Sequence, residues 1–154
     1  MLQAMWEFQT MISELVELPI SNVSMYDAST SAAEAITCAV RVKSKKVEKP
    51  NTVFVSELVP PHRMSVIQNY TQGVGIEIIE LPHGEDGLLD LEKASLATGS
   101  CAVYVEQPNS FGILDEGLMS LREIVGEKTA IIVGVDVTTL GLVEPPGNWG
   151  ADIV

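Results

Sequence analysis

One acidic residue, Asp136, ends a run of apolar residues and glycine at positions 130–135. A carboxylate at the end of a buried strand is costly unless it has a partner. Two interpretations are open. Asp136 could pair with a cationic ligand atom, such as a protonated pyridine nitrogen, or it could cap the turn that follows.

A second group of candidates precedes an alanine-rich segment that extends to about residue 42. Ser29, Thr30 and Ser31 are candidate N-caps, and Ser31 precedes Glu34 by three residues, which is the spacing of a capping box. The free N–H groups and the dipole of a helix N-terminus suit a phosphate or a carboxylate. We therefore predict a helix start here that is either an ordinary cap or an anion site.

Few other residues suggest chemistry. His62 follows two prolines and could be a ligand, an acid/base group or a surface residue, whereas His83 is expected in a solvent-exposed loop. A Schiff-base lysine needs a desolvated site that lowers its pKa. No lysine meets this requirement, because all of them fall in polar stretches and none follows a predicted strand: Lys43, Lys45, Lys46, Lys49, Lys93 and Lys128. No metal site is predicted, and no dinucleotide, nucleotide-triphosphate or hydrolase motif is present.

The elements that would position these residues alternate between strand and helix. After two helices at 2–18 and about 29–42, strands are predicted at 52–56, 75–80, 101–105 and 130–136, and helices at 60–72, 88–97 and 114–125. This pattern indicates an α/β fold with three layers, a mainly parallel sheet with helices on both faces. Ligands of such sheets bind beyond the carboxyl ends of the strands, so segments 56–62, 106–112 and 136–144 should meet there.

Composition narrows the class of protein. The chain has 154 residues, 46% hydrophobic and 5% aromatic, and a formal net charge of −12. That charge argues against nucleic acid or an anionic membrane as a partner. Cys38 and Cys101 lie far apart and are expected to be buried, reduced thiols, and no secretion signal or membrane span is evident, so we expect a cytoplasmic protein.

Both ends of the chain favour a fragment. The helix at 2–18 has no capping residue before it and is apolar around so much of its girth that it should pack on two sides. Residues 151–154 resemble the start of another buried strand. We therefore expect residues 1–154 to be part of a larger domain, truncated at both ends, or to be completed by a partner.

Four stretches resemble one family in the correct order along the chain. They are 3–12 (QAMWEFQTMI), 22–35 (NVSMYDASTSAAEA), 107–112 (QPNSFG) and 140–152 (LGLVEPPGNWGAD). The sequence is similar to the P-protein of the glycine cleavage system, and more narrowly to its N-terminal half or first subunit.

This resemblance implies a partial large domain of the aspartate-aminotransferase type, the fold type I of pyridoxal-phosphate enzymes. It implies an enzyme that decarboxylates glycine and passes the aminomethyl group to the lipoyl arm of the H-protein. In the two-subunit form the cofactor lysine belongs to subunit 2, so the cofactor is expected on the partner. By fold position Asp136 corresponds to the aspartate that pairs with the pyridine nitrogen, and Ser29 and Thr30 correspond to the phosphate-facing loop or to a wall of a shared site.

Two alternatives stay open. This half could be a non-catalytic scaffold that completes the partner's site and docks the H-protein. It could also belong to another fold type I enzyme, such as a cysteine desulfurase or an amino-acid decarboxylase.

Overall fold

A computed structural model describes all 154 residues as a parallel sheet with helices on both faces. The strands are β1 (Lys49–Ser56), β2 (Glu77–Leu81), β3 (Ser100–Gln107) and β4 (Ala130–Val135). The α-helices are α1 (Leu2–Val16), α2 (Ala28–Lys43), α3 (Pro61–Gln72), α4 (Leu91–Ala94) and α5 (Leu121–Val125). Short 3₁₀ helices lie at Ser95–Ala97, Glu116–Ser120, Val137–Gly141 and Pro146–Trp149. The predicted α/β class and three-layer architecture are confirmed.

The sheet has the order β2-β1-β3-β4, and every pairing is parallel. Val53 of β1 aligns with Ile78 of β2 and with Ala102 of β3, and Val103 aligns with Ile131 of β4. All eight residues of β3 are buried, as expected for a central strand covered on both faces. The parallel order brings all four carboxyl ends to one edge of the sheet.

Two apolar cores lie on opposite faces of the sheet. On one face, α2 presents small residues at helical spacing, so its backbone can approach the strands closely. Ile36 of α2 and Ile67 of α3 are fully buried on this face. On the other face, α4 and α5 cover Phe54, Val103 and Ile131. Burying one such side chain contributes about 1.5–3 kcal/mol, so the two cores hold the sheet between its helical layers.

The C-terminal segment is fastened to the free edge of β4. Ile153 pairs with Ile132 in a parallel bridge, which agrees with the predicted strand start near the end of the chain. Arg122 of α5 holds this segment, because its guanidinium donates to the carbonyl of Gly150 over 2.7 Å and to Asp152 over 2.6 Å.

Several predictions about elements were wrong. Segment 114–125 forms a 3₁₀ helix followed by one and a half turns of α-helix, and segment 88–97 contains only the short α4 and a 3₁₀ turn. Helix α1 contacts the 3₁₀ helix Val137–Gly141, but most of its apolar side chains are exposed, so it is not packed on two sides. Cys101 is buried as expected, whereas Cys38 is exposed. No helix combines the length and the apolar character that crossing a membrane requires.

Candidate functional site

Three loops meet at the carboxyl edge of the sheet, as the sequence predicts. The backbone N–H of Ser110 donates to the carbonyl of Leu58 over 2.9 Å, which joins the loop after β3 to the loop after β1. The N–H of Asp136 donates to the carbonyl of Gln107 over 3.2 Å, which joins the residue after β4 to the end of β3. The edge is therefore a continuous surface built by backbone pairing.

A buried polar cluster lies just beneath this edge. Nη1 of Arg63, on the first turn of α3, lies 2.6 Å from Oε1 of Glu106, near the end of β3. The hydroxyl of Tyr104 donates to the same carboxylate oxygen over 2.9 Å. Gly134 of the neighbouring strand makes room for the pair, because a Cβ on Gly134 would come within 2.7 Å of the Tyr104 hydroxyl. The cluster connects α3 to β3 at the site edge.

Electrostatics keep this cluster in a defined charge state. Burial raises the pKa of Tyr104, and the nearby Glu106 carboxylate raises it further, so the phenol stays protonated. Burial acts to lower the pKa of Arg63, but the charge and the hydrogen bond of Glu106 outweigh it and the pKa is raised. Nε of Arg63 is buried without a hydrogen-bond partner. The Glu106 carboxylate therefore holds the guanidinium through Nη1.

Sequence reasoning missed this cluster, although the sequence held a signal for it. Glu106 is a carboxylate near the end of a buried apolar strand, which is the same criterion that selected Asp136. Tyr104 lies two residues earlier and so faces the same side of the strand. The pairing with Arg63 could not be predicted, because it depends on how α3 packs against the sheet.

Helix α2 begins with a cap that differs from the predicted one. Asp27 is the N-cap: its carboxylate accepts the N–H of Thr30 over 2.7 Å, and its own N–H donates to the Thr30 hydroxyl over 3.2 Å. The capping box is thus Asp27 with Thr30, and the predicted box of Ser31 with Glu34 is wrong. Ser29, Thr30 and Ser31 occupy the first turn, where the Ser31 hydroxyl donates to the carbonyl of Asp27 over 2.7 Å.

The same carboxylate sets the charge at this helix start. The hydrogen bond from the Thr30 N–H is the main cause that lowers the pKa of Asp27, and the charge of Arg63 adds a smaller effect, so the group is ionised. The Asp27 carboxylate places a negative charge at this turn, where it accepts the N–H of Thr30. Ser29 and Thr30 lie on the first turn beside that charge, and their contact with a cofactor phosphate stays a prediction.

Asp136 stands beside the site edge as the N-cap of the 3₁₀ helix Val137–Gly141. Its carboxylate accepts the Thr138 hydroxyl over 2.7 Å and the Thr138 N–H over 3.0 Å, and these bonds lower its pKa. The capping interpretation of Asp136 therefore describes its local geometry. The carboxylate is also exposed and ionised, so its pairing with a cationic ligand stays a prediction.

The loop that leaves β3 is ordered by Asn109. This buried side chain donates to the carbonyl of Gly87 over 2.8 Å and accepts the N–H groups of Phe111 and Ile113. The loop belongs to one of the stretches on which the family resemblance rests. Asn109 explains why that stretch has a fixed shape, since it closes the turn on itself and ties it to a neighbouring loop.

Both histidines are exposed in this chain. His62 is exposed on the first turn of α3. His83 is exposed as predicted, and its Nδ1 lies 3.1 Å from the Glu57 carboxylate. All six lysines lie in segments that precede or begin a strand. They are therefore near the amino ends of the strands, whereas the site edge is at the carboxyl ends. Lys49, for example, is the first residue of β1 and donates to the carbonyl of Leu96.

Comparisons with known proteins agree with the resemblance seen in the sequence. The family described as glycine cleavage system P-protein matches residues 1–154. The chain is 46% identical over 156 aligned positions to the probable glycine dehydrogenase (decarboxylating) subunit 1 of Thermococcus kodakarensis. That alignment covers all of this chain and 34% of the relative, so the chain spans about a third of that relative's length.

Two solved structures relate the fold to known enzymes. A crystal structure of glycine decarboxylase (P-protein) of the glycine cleavage system, in inhibitor-bound form, superposes with a TM-score of 0.83 at 36% identity, over 97% of this chain and 32% of that one. A cysteine desulfurase from Thermococcus onnurineus superposes with a TM-score of 0.61 at 16% identity, over 85% of this chain and 32% of that one. The second likeness extends to the fold alone.

Proposed function

Because this chain belongs to the glycine cleavage system P-protein family, we propose that it is part of subunit 1 of a glycine dehydrogenase (decarboxylating). The complete enzyme decarboxylates glycine and transfers the aminomethyl group to the lipoyl arm of the H-protein. It acts in the cytoplasm as a heterotetramer of two kinds of subunit. The 154 residues form part of the large domain of subunit 1, and pyridoxal phosphate is held by subunit 2.

The chemistry of the carboxyl edge carries this proposal. The edge offers two ionised carboxylates, Asp27 and Asp136, together with hydroxyl groups, but no lysine. A pyridoxal-phosphate enzyme needs a lysine for its Schiff base and a cluster of donors for its phosphate. In a chain of this family, two ionised carboxylates at this edge support a role for these residues in walling the site.

In this proposal the residues of the chain shape the site and set its charge. The Arg63–Glu106–Tyr104 cluster stiffens the edge beneath the loops, and Asn109 fixes the loop after β3. Asp27 and Asp136 make the rim negative. That sign suits a neighbouring cationic group and repels free anions from this part of the wall.

A non-catalytic scaffold is the second candidate, and one observation favours it. The carboxylate of Asp136, the residue predicted to face a pyridine nitrogen, is engaged by the N–H and hydroxyl of Thr138. A carboxylate that caps a helix stabilises the fold whether or not it also contacts a ligand. In the scaffold version this chain would contribute no group that contacts glycine.

Separate and joint expression of the two full-length subunits tests the proposal. Glycine-dependent exchange of labelled carbon dioxide and the absorbance of bound pyridoxal phosphate would be measured for each subunit and for the mixture. We expect cofactor absorbance with subunit 2 and exchange only with both subunits present. Exchange by full-length subunit 1 alone would overturn the division of labour, and a sulfur-releasing activity on cysteine would favour a desulfurase.

A further inference from the structure

A small cavity lies beneath the carboxyl edge of the sheet, between the end of β1 and the segment that follows β3. Its volume is about 10 Å³, which is close to the space that one water molecule requires. Four of the eight residues that line it are polar: Ser56, Glu106, Asn109 and Asp115. Glu106, the most exposed lining residue, retains only 8% of its exposure, so the walls belong to the interior of this chain.

The hydroxyl group of Ser56 brings an unused hydrogen-bond donor to this cavity. A serine hydroxyl has one proton to donate and two lone pairs that accept. One lone pair of Ser56 accepts the N–H of Leu58 over 3.1 Å, whereas its proton is donated to no atom of the chain. The residue retains 2% of its exposure, so bulk water does not supply the acceptor. A buried donor without an acceptor is costly, and an acceptor is therefore expected inside the cavity.

The carboxylate of Asp115 provides acceptor capacity in the same wall. Its Oδ2 accepts the N–H of Leu89 over 3.0 Å, and its Oδ1 accepts the N–H of Gly117 over 2.9 Å. Each carboxylate oxygen can accept a second hydrogen bond. The side-chain oxygen of Asn109, in contrast, already accepts two N–H groups of its own loop. Asp115 is thus the lining side chain with acceptor sites to spare.

The size and the polarity of the cavity together select its occupant. The proton of Ser56 needs an acceptor, and the free lone pairs of Asp115 need a donor. A metal cation accepts no hydrogen bond and would repel the Ser56 proton, and an anion would be repelled by Asp115. Water donates and accepts at once, and buried water characteristically satisfies two to four polar groups of this kind.

We propose that the cavity binds one water molecule, which accepts the Ser56 hydroxyl and donates to the Asp115 carboxylate. This water connects the end of β1 to a side chain that already joins the loop after β2, through Leu89, to the segment after β3, through Gly117. The inference goes beyond the proposed function and does not depend on the enzyme assignment.

The water also affects the shape of the candidate site. By accepting the Ser56 proton, it turns a lone pair of that hydroxyl toward the N–H of Leu58. The carbonyl of Leu58 in turn accepts the N–H of Ser110 over 2.9 Å, in the loop after β3. The water is therefore part of the internal support beneath two loops of the carboxyl edge.

The test is a crystal structure of the full-length polypeptide that contains these residues, at a resolution that shows ordered waters. We expect one water within about 3.2 Å of both the Ser56 Oγ and an Asp115 carboxylate oxygen. A cavity without density would overturn the inference, and so would a water that contacts only one of the two groups. Density with several oxygen ligands at about 2.0–2.6 Å would identify a cation and would overturn it as well.

Two variants of β1 test the role of Ser56. Ser56→Val removes the donor and places two methyl groups toward the cavity, so the water should be lost. The control Thr52→Val removes a hydroxyl of the same strand that donates to Glu77, outside the cavity, and should leave the water in place. A water that persists in Ser56→Val, or that is lost equally in both variants, would refute Ser56 as its donor. If Ser56→Val does not fold, the wild-type density decides.

Discussion

Arg63 and Glu106 form the buried ion pair that ties α3 to the carboxyl end of β3, with 2.6 Å between Nη1 and Oε1. The two side chains retain 19% and 7% of their exposure, so both charges are largely removed from water. Such a pair stabilises a fold only while it is intact, because loss of one partner leaves the other charge buried and unpaired.

Glu106→Gln should therefore lower the free energy of unfolding by about 3 kcal/mol, at the low end for a buried pair because Arg63 keeps some contact with water. The matched control is Glu48→Gln, which breaks the exposed pair with Lys128 at 3.7 Å and should change stability by less than about 1 kcal/mol. Urea unfolding followed by circular dichroism measures both. Equal changes in the free energy of unfolding would show that the buried Arg63–Glu106 pair contributes no more to stability than the exposed pair.

Tyr104 should make the fold sensitive to alkali. Its folded-state pKa is raised above the unfolded value of about 10 by burial and by the Glu106 carboxylate. The stabilisation is complete below pH 10 and is lost as the pH rises above it, because the unfolded chain then releases the phenol proton while the folded chain retains it. Tyr104→Phe should flatten this alkaline decline, and the control Tyr70→Phe, at an exposed tyrosine, should not. Unfolding curves across that pH range decide the matter.

The cap of α2 should show the opposite pH dependence. The pKa of Asp27 is lowered, so its stabilisation is present above the unfolded value of about 3.9 and is lost as the pH falls through the lowered folded value. Asp27→Asn retains a capping oxygen and should remove this acid dependence, whereas Asp27→Ala should lower the melting temperature at neutral pH. If Ser31→Ala had the larger effect at neutral pH, the cap assignment would be wrong.

The sequence was sufficient to predict the layers and the site edge because both follow from local patterns. Apolar runs such as 130–135 predict covered parallel strands, and parallel strands bring their carboxyl ends together whatever the details of packing. The three loops around Leu58, Ser110 and Asp136 meet for that reason.

What the sequence did not predict depends on distances between elements. Asp27 caps α2 in place of Ser31, since several polar residues compete at one helix start and only the entry angle of the chain selects among them. The partnership of Arg63 with Glu106 joins residues 43 positions apart and requires the final packing of α3. The exposure of the apolar side chains of α1 could not be predicted either. Their distribution around the helix indicates burial but does not identify the surface that would cover them.

Gly147 marks the place where α1 is held against the C-terminal segment. A Cβ at Gly147 would overlap the main-chain carbonyl of Glu17, which cannot move away as a side chain would. Gly147→Ala should therefore destabilise the fold by about 1–3 kcal/mol and loosen the C-terminal end of α1. Gly141→Ala is the control, because a Cβ there would meet no atom within 4 Å. Hydrogen exchange of the α1 amides, together with urea unfolding, should separate the two variants; equal protection in both would contradict the contact.

Asp136 distinguishes a wall residue from a cofactor ligand. If the cofactor belongs to subunit 2, Asp136→Asn in the complex of full-length subunits should leave the affinity for pyridoxal phosphate unchanged, since asparagine can still accept the Thr138 N–H and preserve the turn. Asp136→Ala removes the cap as well, and should lower the melting temperature without weakening the cofactor. Spectrophotometric titration of the cofactor into the stripped complex gives the affinity of each variant. A loss of tenfold or more with asparagine, at an unchanged melting temperature, would mean that the negative charge contacts the cofactor and that this subunit does more than wall the site.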